Sequence, residues 1–129
     1  MRVALDTNKY TDLCRGESAL KHLLEHAETI ALPLPVVAEL RAGFAMAIRG
    51  AENEAVLQRF LLKRGVYMLL PDEQTTRVYA ELYRQLRMQG TPIPTNDLWI
   101  ASLCVQHELS LVSRDEHFGR LPQLRRAGA

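Results

Sequence analysis

The chain has 129 residues, enough for one domain with its own core, and a single domain over residues 1–129 is expected. Hydrophobic residues make up 47%, which excludes a disordered chain. Lys and Arg number 16 against 15 Asp and Glu, so the formal charge of +1 excludes a strongly basic nucleic-acid coat but leaves room for a local Arg patch.

The first predicted element is a strand from Val3 to Asp6. A short helix follows around Tyr10 to Arg15, broken by Gly16, and a second runs from Ser18 to Ala27 with Ser18 as its cap. Thr29 to Leu32 reads as a strand bounded by Pro33 and Pro35, and Pro35 suits the first position of the next helix. In that helix Val36, Val37, Leu40, Phe44 and Ile48 recur at helical spacing, with Gly50 as the stop. Glu52 to Lys63 gives a helix with Val56, Leu57, Phe60 and Leu61 inward, and Val66 to Leu70 a strand. Asp72 caps a long helix that reaches Gln89 and ends at Gly90. A rigid Gly-Thr-Pro-Ile-Pro loop leads to a helix from Asp97 to His107, with Trp99 in the core. Leu109 to Val112 is a buried strand, and the tail holds a last short strand near Leu124.

Short strands alternating with helices predict an α/β sandwich with a mostly parallel sheet, and no repeat or linker interrupts it. Cys14 and Cys104 lie far apart without metal-ligand spacing and read as buried thiols in a reducing compartment. No apolar run is long enough for a bilayer and no signal segment opens the chain, so a soluble, cytoplasmic protein is expected.

Four acids stand out. Asp6 ends the first strand run and Asp115 follows the last buried one, the strand ends where sites form in parallel sheets. Asp97 opens a helix, and Glu39 sits beside an apolar helical stripe where a carboxylate is costly to bury. Each has a local explanation: an Asx turn for Asp6, helix-dipole stabilisation for Asp97, an ordinary turn for Asp115 and a surface position for Glu39. Together they would repel one another, and a divalent cation would reverse the sign of that energy. His22, His26, His107 and His117 are scattered and read as surface or helix-end residues; only His117 is near one of these four acids.

The segments Leu5-Asp6-Thr7-Asn8, Pro35-Val36-Val37-Ala38-Glu39-Leu40-Arg41-Ala42-Gly43-Phe44, Thr95-Asn96-Asp97-Leu98-Trp99-Ile100-Ala101 and Leu111-Val112-Ser113-Arg114-Asp115-Glu116-His117-Phe118 resemble the ordered motifs of PIN-domain ribonucleases, specifically the VapC toxins of toxin–antitoxin pairs. The resemblance spans essentially the whole chain. It implies a PIN-like three-layer α/β/α sandwich and a Mg²⁺- or Mn²⁺-dependent endoribonuclease, in which a water of lowered pKa attacks the phosphodiester and leaves a 3′-hydroxyl and a 5′-phosphate. Carried over, Asp6, Glu39, Asp97 and Asp115 hold the metal, with Glu116 as a competitor for the last place. Asn8, Asn96 and Ser113 orient them, and Arg114 is the candidate phosphate contact. The family also implies a homodimer and a VapB-type antitoxin lying in an apolar groove, for which Leu13, Leu40, Phe44, Met46 and Phe60 are candidates. The alternative is a catalytically silent PIN-fold interaction module. A response-regulator receiver is disfavoured because Asp6 has no paired acid and no Lys follows Lys63.

Overall fold

The computed structural model describes residues 1–128. Strand β1 (Arg2–Leu5) is followed by helices α1 (Thr7–Cys14) and α2 (Ser18–Glu25), strand β2 (Thr29–Pro33), and helices α3 (Leu34–Met46) and α4 (Gly50–Leu61). Then come β3 (Val66–Leu69), α5 (Glu73–Gln89), α6 (Thr95–His107), β4 (Ser110–Val112), a 3₁₀ turn (Glu116–Arg120) and β5 (Arg126–Ala127). The strands form one sheet in the order β3-β2-β1-β4-β5, and all four pairings are parallel.

Val3, Ala4 and Leu5 are consecutive and fully buried, as are Ala31 and Leu32 on β2 and Leu111 and Val112 on β4. Successive strand residues point to opposite faces, so both faces of the sheet are covered, which is the three-layer α/β arrangement. Helix α6 is buried on most sides, through Leu98, Ile100, Ala101, Leu103 and Cys104. No helix among the described residues is long and apolar enough to cross a membrane.

Local chemistry explains most boundaries. The Asp72 carboxylate accepts from the Thr75 N–H at 3.0 Å, and the Thr75 hydroxyl accepts from the Asp72 N–H at 2.9 Å, a reciprocal cap for α5. Gly90 ends that helix in the left-handed region, at φ 74°. Pro35 lies in the first turn of α3, where its missing N–H is harmless. Ser18 does not cap α2: Glu17 holds that position without a side-chain bond. Thr95 is likewise inside α6 and leaves no side-chain cap at Pro94.

The largest difference from the sequence reading is at Gly50. It opens α4 instead of closing α3, and Ile48 is fully exposed in the connection. The reason is a close backbone approach: a Cβ on Gly50 would stand 2.0 Å from the Phe44 carbonyl oxygen. Cys14 is exposed, contrary to expectation, and only Cys104 is buried. Trp99 is half-buried, with its ring centroid 4.4 Å from that of Tyr79.

Gly50→Ala therefore forces the α3–α4 junction apart and lowers stability by about 2 kcal/mol, the scale of an overpacked core site. Gly43→Ala, whose Cβ meets open space near the C-terminal end of α3, is expected to gain roughly 0.5–1 kcal/mol. Urea unfolding of the two variants gives the comparison; equal effects would mean that the junction is plastic.

Candidate metal centre

The site lies where the central strand β1 and its neighbour β4 end. Asp6 follows β1 directly and caps α1, its Oδ1 accepting the Lys9 N–H at 2.9 Å. Its Oδ2 accepts the Ser113 hydroxyl, from the loop after β4. Both oxygens are thus held, and the residue is 6% exposed. The bonds seen on Asp6 come from Lys9 and Ser113, not from Asn8, which is exposed. Ser113 Oγ also accepts the Asp115 N–H at 3.0 Å, so one hydroxyl sets the positions of two acids.

Asp115 caps the 3₁₀ turn, its Oδ1 accepting the His117 N–H at 2.9 Å. Glu116, the competitor in sequence, is exposed, and Asp115 is the acid that faces Asp97. The loop that carries Asp115 is fastened by Arg126, whose Nη2 donates to the carbonyls of Ser113 at 2.7 Å and Asp115 at 3.1 Å. Asp97 comes in from the first turn of α6.

Glu39 reaches the site from α3. Its Oε2 accepts the Thr7 hydroxyl and its Oε1 the Asn96 amide, both at 3.2 Å. Those partners are the chain neighbours of Asp6 and Asp97, so Glu39 joins the rim through them. Asn96, expected to orient the acids, donates to Glu39 and not to its chain neighbour Asp97. The tightest group is different: Asp97, Asp115 and His117 each offer a ligand atom, all within 4.8 Å of one another.

His117 is the residue that sequence reasoning missed. Its Nδ1 lies 3.0 Å from Asp97 Oδ2 and 3.1 Å from Asp115 Oδ1. The only signal was its place two residues beyond Asp115. A second unforeseen feature is Asp12, 8% exposed, which pairs with the Arg114 guanidinium and stands 3.9 Å from Lys9 Nζ. Arg114 thus has a fixed partner on α1, while its side chain remains 57% exposed.

The carboxyl of Asp97 is pushed above the usual carboxylate range, first by burial. The His117 hydrogen bond opposes that shift, and the charges of Asp115 and Asp6 add to it. This is the electrostatic signature of a pocket that a cation would relieve. Carboxylate oxygens with one imidazole nitrogen suit a divalent ion, so the residues present fit a metal.

A raised pKa means that the folded chain binds the Asp97 proton more tightly than the unfolded chain does. Ionising Asp97 therefore costs stability: nothing below its unfolded pKa, and the full amount above its raised folded value. In chelator, Asp97→Asn is expected to raise the melting temperature at neutral pH, with the gain fading towards about pH 4. Thermal melts across that range measure it; a clear loss at neutral pH would make Asp97 a structural residue.

Comparison with known proteins bears directly on this geometry. Residues 3–124 match the PIN domain family. A plasmid stability protein, StbB, of Pseudomonas syringae pv. tomato is 31% identical over 122 residues, covering 88% of this chain and 87% of its own. Ribonuclease VapC2 of Rickettsia felis is 32% identical over 103 residues, covering 79% and 75%. The crystal structure of VapBC2 from Rickettsia felis, bound to a promoter DNA fragment, aligns with TM-score 0.88 at 27% identity over 100% of this chain and 99% of that one. VapBC-1 of nontypeable Haemophilus influenzae aligns with TM-score 0.87 at 25% identity over 99% and 98%. With the family match spanning nearly the whole chain, and Asp97 of α6 brought to Asp6 and Asp115 beyond the adjacent ends of β1 and β4, the chain belongs to the PIN domain family, among its VapC-type members.

Proposed function

We propose that this chain is a Mg²⁺- or Mn²⁺-dependent endoribonuclease, the toxin of a VapBC-type pair. The observation that carries the reading is the meeting of Asp97 and Asp115 beside Asp6, with the Asp97 carboxyl raised first by burial and further by the charges of the other two. Asp6, Glu39, Asp97 and Asp115 would hold the ion. A bound ion of this kind supplies a Lewis acid that lowers the pKa of water and offsets charge on a phosphate.

The chain's own residues then divide the work. Ser113 and the Lys9 N–H keep both Asp6 oxygens pointed, so less order has to be created on binding. Thr7 and Asn96 do the same for Glu39. Arg114, anchored on Asp12 and more than half exposed, is the phosphate contact in this reading. Water attack on the phosphodiester would leave a 3′-hydroxyl and a 5′-phosphate.

The reading includes a homodimer and a VapB-type antitoxin. In this reading the antitoxin lies in a cleft of about 600 Å³ beside α1, α2 and α4, lined by Leu13, Leu24, Val56 and Phe60. A second hollow of about 330 Å³ adds Leu40 and Phe44, and Tyr10, Cys14 and Val56 border both. The Tyr10 hydroxyl is buried without a hydrogen-bond partner among the described residues. Lys21, Arg59, Lys63 and Arg64 rim the larger cleft against the single acid Glu25, which suits an apolar segment with acidic flanks. Met46, expected in this groove, is instead 89% exposed at the end of α3.

Purified protein is expected to cut total cellular RNA into discrete fragments with Mg²⁺ or Mn²⁺ and not with EDTA. Asp6→Asn and Asp97→Asn should each lose about 100-fold or more in rate, since a ligand matters at least as much as its outer partners. Ser113→Ala should lose about 10-fold, because Asp6 stays but is no longer held. Folded, metal-binding protein that cuts no RNA would favour the silent interaction module.

A further inference from the structure

We propose that His117 is a nitrogen ligand of the cation site and that it biases the site towards Mn²⁺ over Mg²⁺. The inference rests on the metal reading above and adds a residue to it. The Nδ1 of His117 stands at nearly equal distances, 3.0 and 3.1 Å, from one oxygen each of Asp97 and Asp115. Adjacent ligands of an octahedral ion with bonds of ~2.1 Å are ~3.0 Å apart, so Nδ1 stands from each carboxylate oxygen at the spacing of neighbouring ligands, and the ligand atoms of the three residues all lie within 4.8 Å of one another. A single proton on Nδ1 cannot point at both carboxylates, whereas one cation among the three atoms serves them all.

The ring is held in place by its backbone. The His117 N–H donates to Asp115 Oδ1 at 2.9 Å. The next residue, Phe118, is 1% exposed, and Leu121 just after the turn is 2% exposed, so the 3₁₀ turn is nailed to the core on the far side of His117. The histidine side chain itself is 36% exposed, open enough for an ion to reach Nδ1 from water. As a ligand the ring carries its proton on Nε2 and offers the Nδ1 lone pair.

The consequence is a choice of metal. Mg²⁺ prefers oxygen and holds its waters tightly; Mn²⁺ also takes oxygen ligands well but, as a first-row transition ion, accepts an imidazole nitrogen more readily than Mg²⁺ does. An all-carboxylate site would accept Mg²⁺ and Mn²⁺ on similar terms; a histidine in the set separates them.

The test loads intact, metal-free protein with Mn²⁺ and records pulsed electron paramagnetic resonance for nitrogen coupling, beside calorimetric titrations with Mn²⁺ and with Mg²⁺. Wild type is expected to show imidazole nitrogen on the ion, and His117→Ala and His117→Gln to lose it. Mn²⁺ affinity should fall about 10-fold or more in both variants, with Mg²⁺ affinity falling at most about 3-fold. His117→Gln keeps the side-chain bulk, and circular dichroism confirms its fold. Bound Mn²⁺ without nitrogen coupling, or equal losses for both ions, would overturn the role of His117 and leave the carboxylate site standing. Failure of wild type to bind either ion would overturn the metal reading and this inference with it.

Discussion

The Ser113 hydroxyl is the tie on which the site depends. It donates to Asp6 and accepts from the Asp115 N–H, so the ends of β1 and β4 are joined by one oxygen atom. Without it, the Asp6 carboxylate would keep its helix cap and Asp115 its own turn and the Arg126 clasp on its carbonyl, but no side chain would join the two acids. The tie is available because β1 and β4 pair in parallel, with Leu5 opposite Val112, and therefore finish together. Parallel pairing in turn requires that both sheet faces be covered, which the consecutive buried residues of β1 show. The core and the acids are linked in this way: the apolar runs fix the register, and the register fixes which acids meet.

That arrangement sets stability against readiness to bind. A core that buries Leu5, Leu32, Leu57, Leu103 and Leu111 completely can carry a local electrostatic cost at its edge. Asp97 shows the cost, since burial and the neighbouring charges of Asp115 and Asp6 oppose its ionisation. The His117 hydrogen bond reduces it without removing it. The structure thus holds its acids close before any ion arrives, and the ordering that binding needs is largely complete.

Elements governed by local chemistry were legible in the sequence. The Asp72 cap and the Gly90 stop depend on residues within a few positions, and both lie where the pattern put them. The α/β alternation and the strand-end placement of Asp6 and Asp115 were readable for the same reason. Gly50 was misread because its need for a missing side chain arises from the Phe44 carbonyl of the preceding helix, a packing contact that no local signal encodes. His117 was passed over because its neighbour Asp97 comes from α6, brought in by the fold. The family motifs supplied the four acids together and pointed to Ser113 beside them, but the backbone bond from Lys9 to Asp6 had to be seen.

The Asp12 pairings carry the same logic to the basic side of the site. A carboxylate that is 8% exposed is costly unless cations accompany it, and Asp12 has two, Lys9 from its own helix and Arg114 from the loop after β4. Lys9 is 5% exposed and also stands 3.7 Å from Glu17, just past the end of α1. Helix α1 is therefore joined to the β4 loop twice, once through Asp6 and Ser113 and once through Asp12 and Arg114. The first tie places an acid and the second places a cation, and both act on the three-residue segment from Ser113 to Asp115. A short loop held at both ends has little freedom to trade one position for the other. The spacing between the carboxylates and the nearest guanidinium is then a property of the folded chain, fixed by the same two ties.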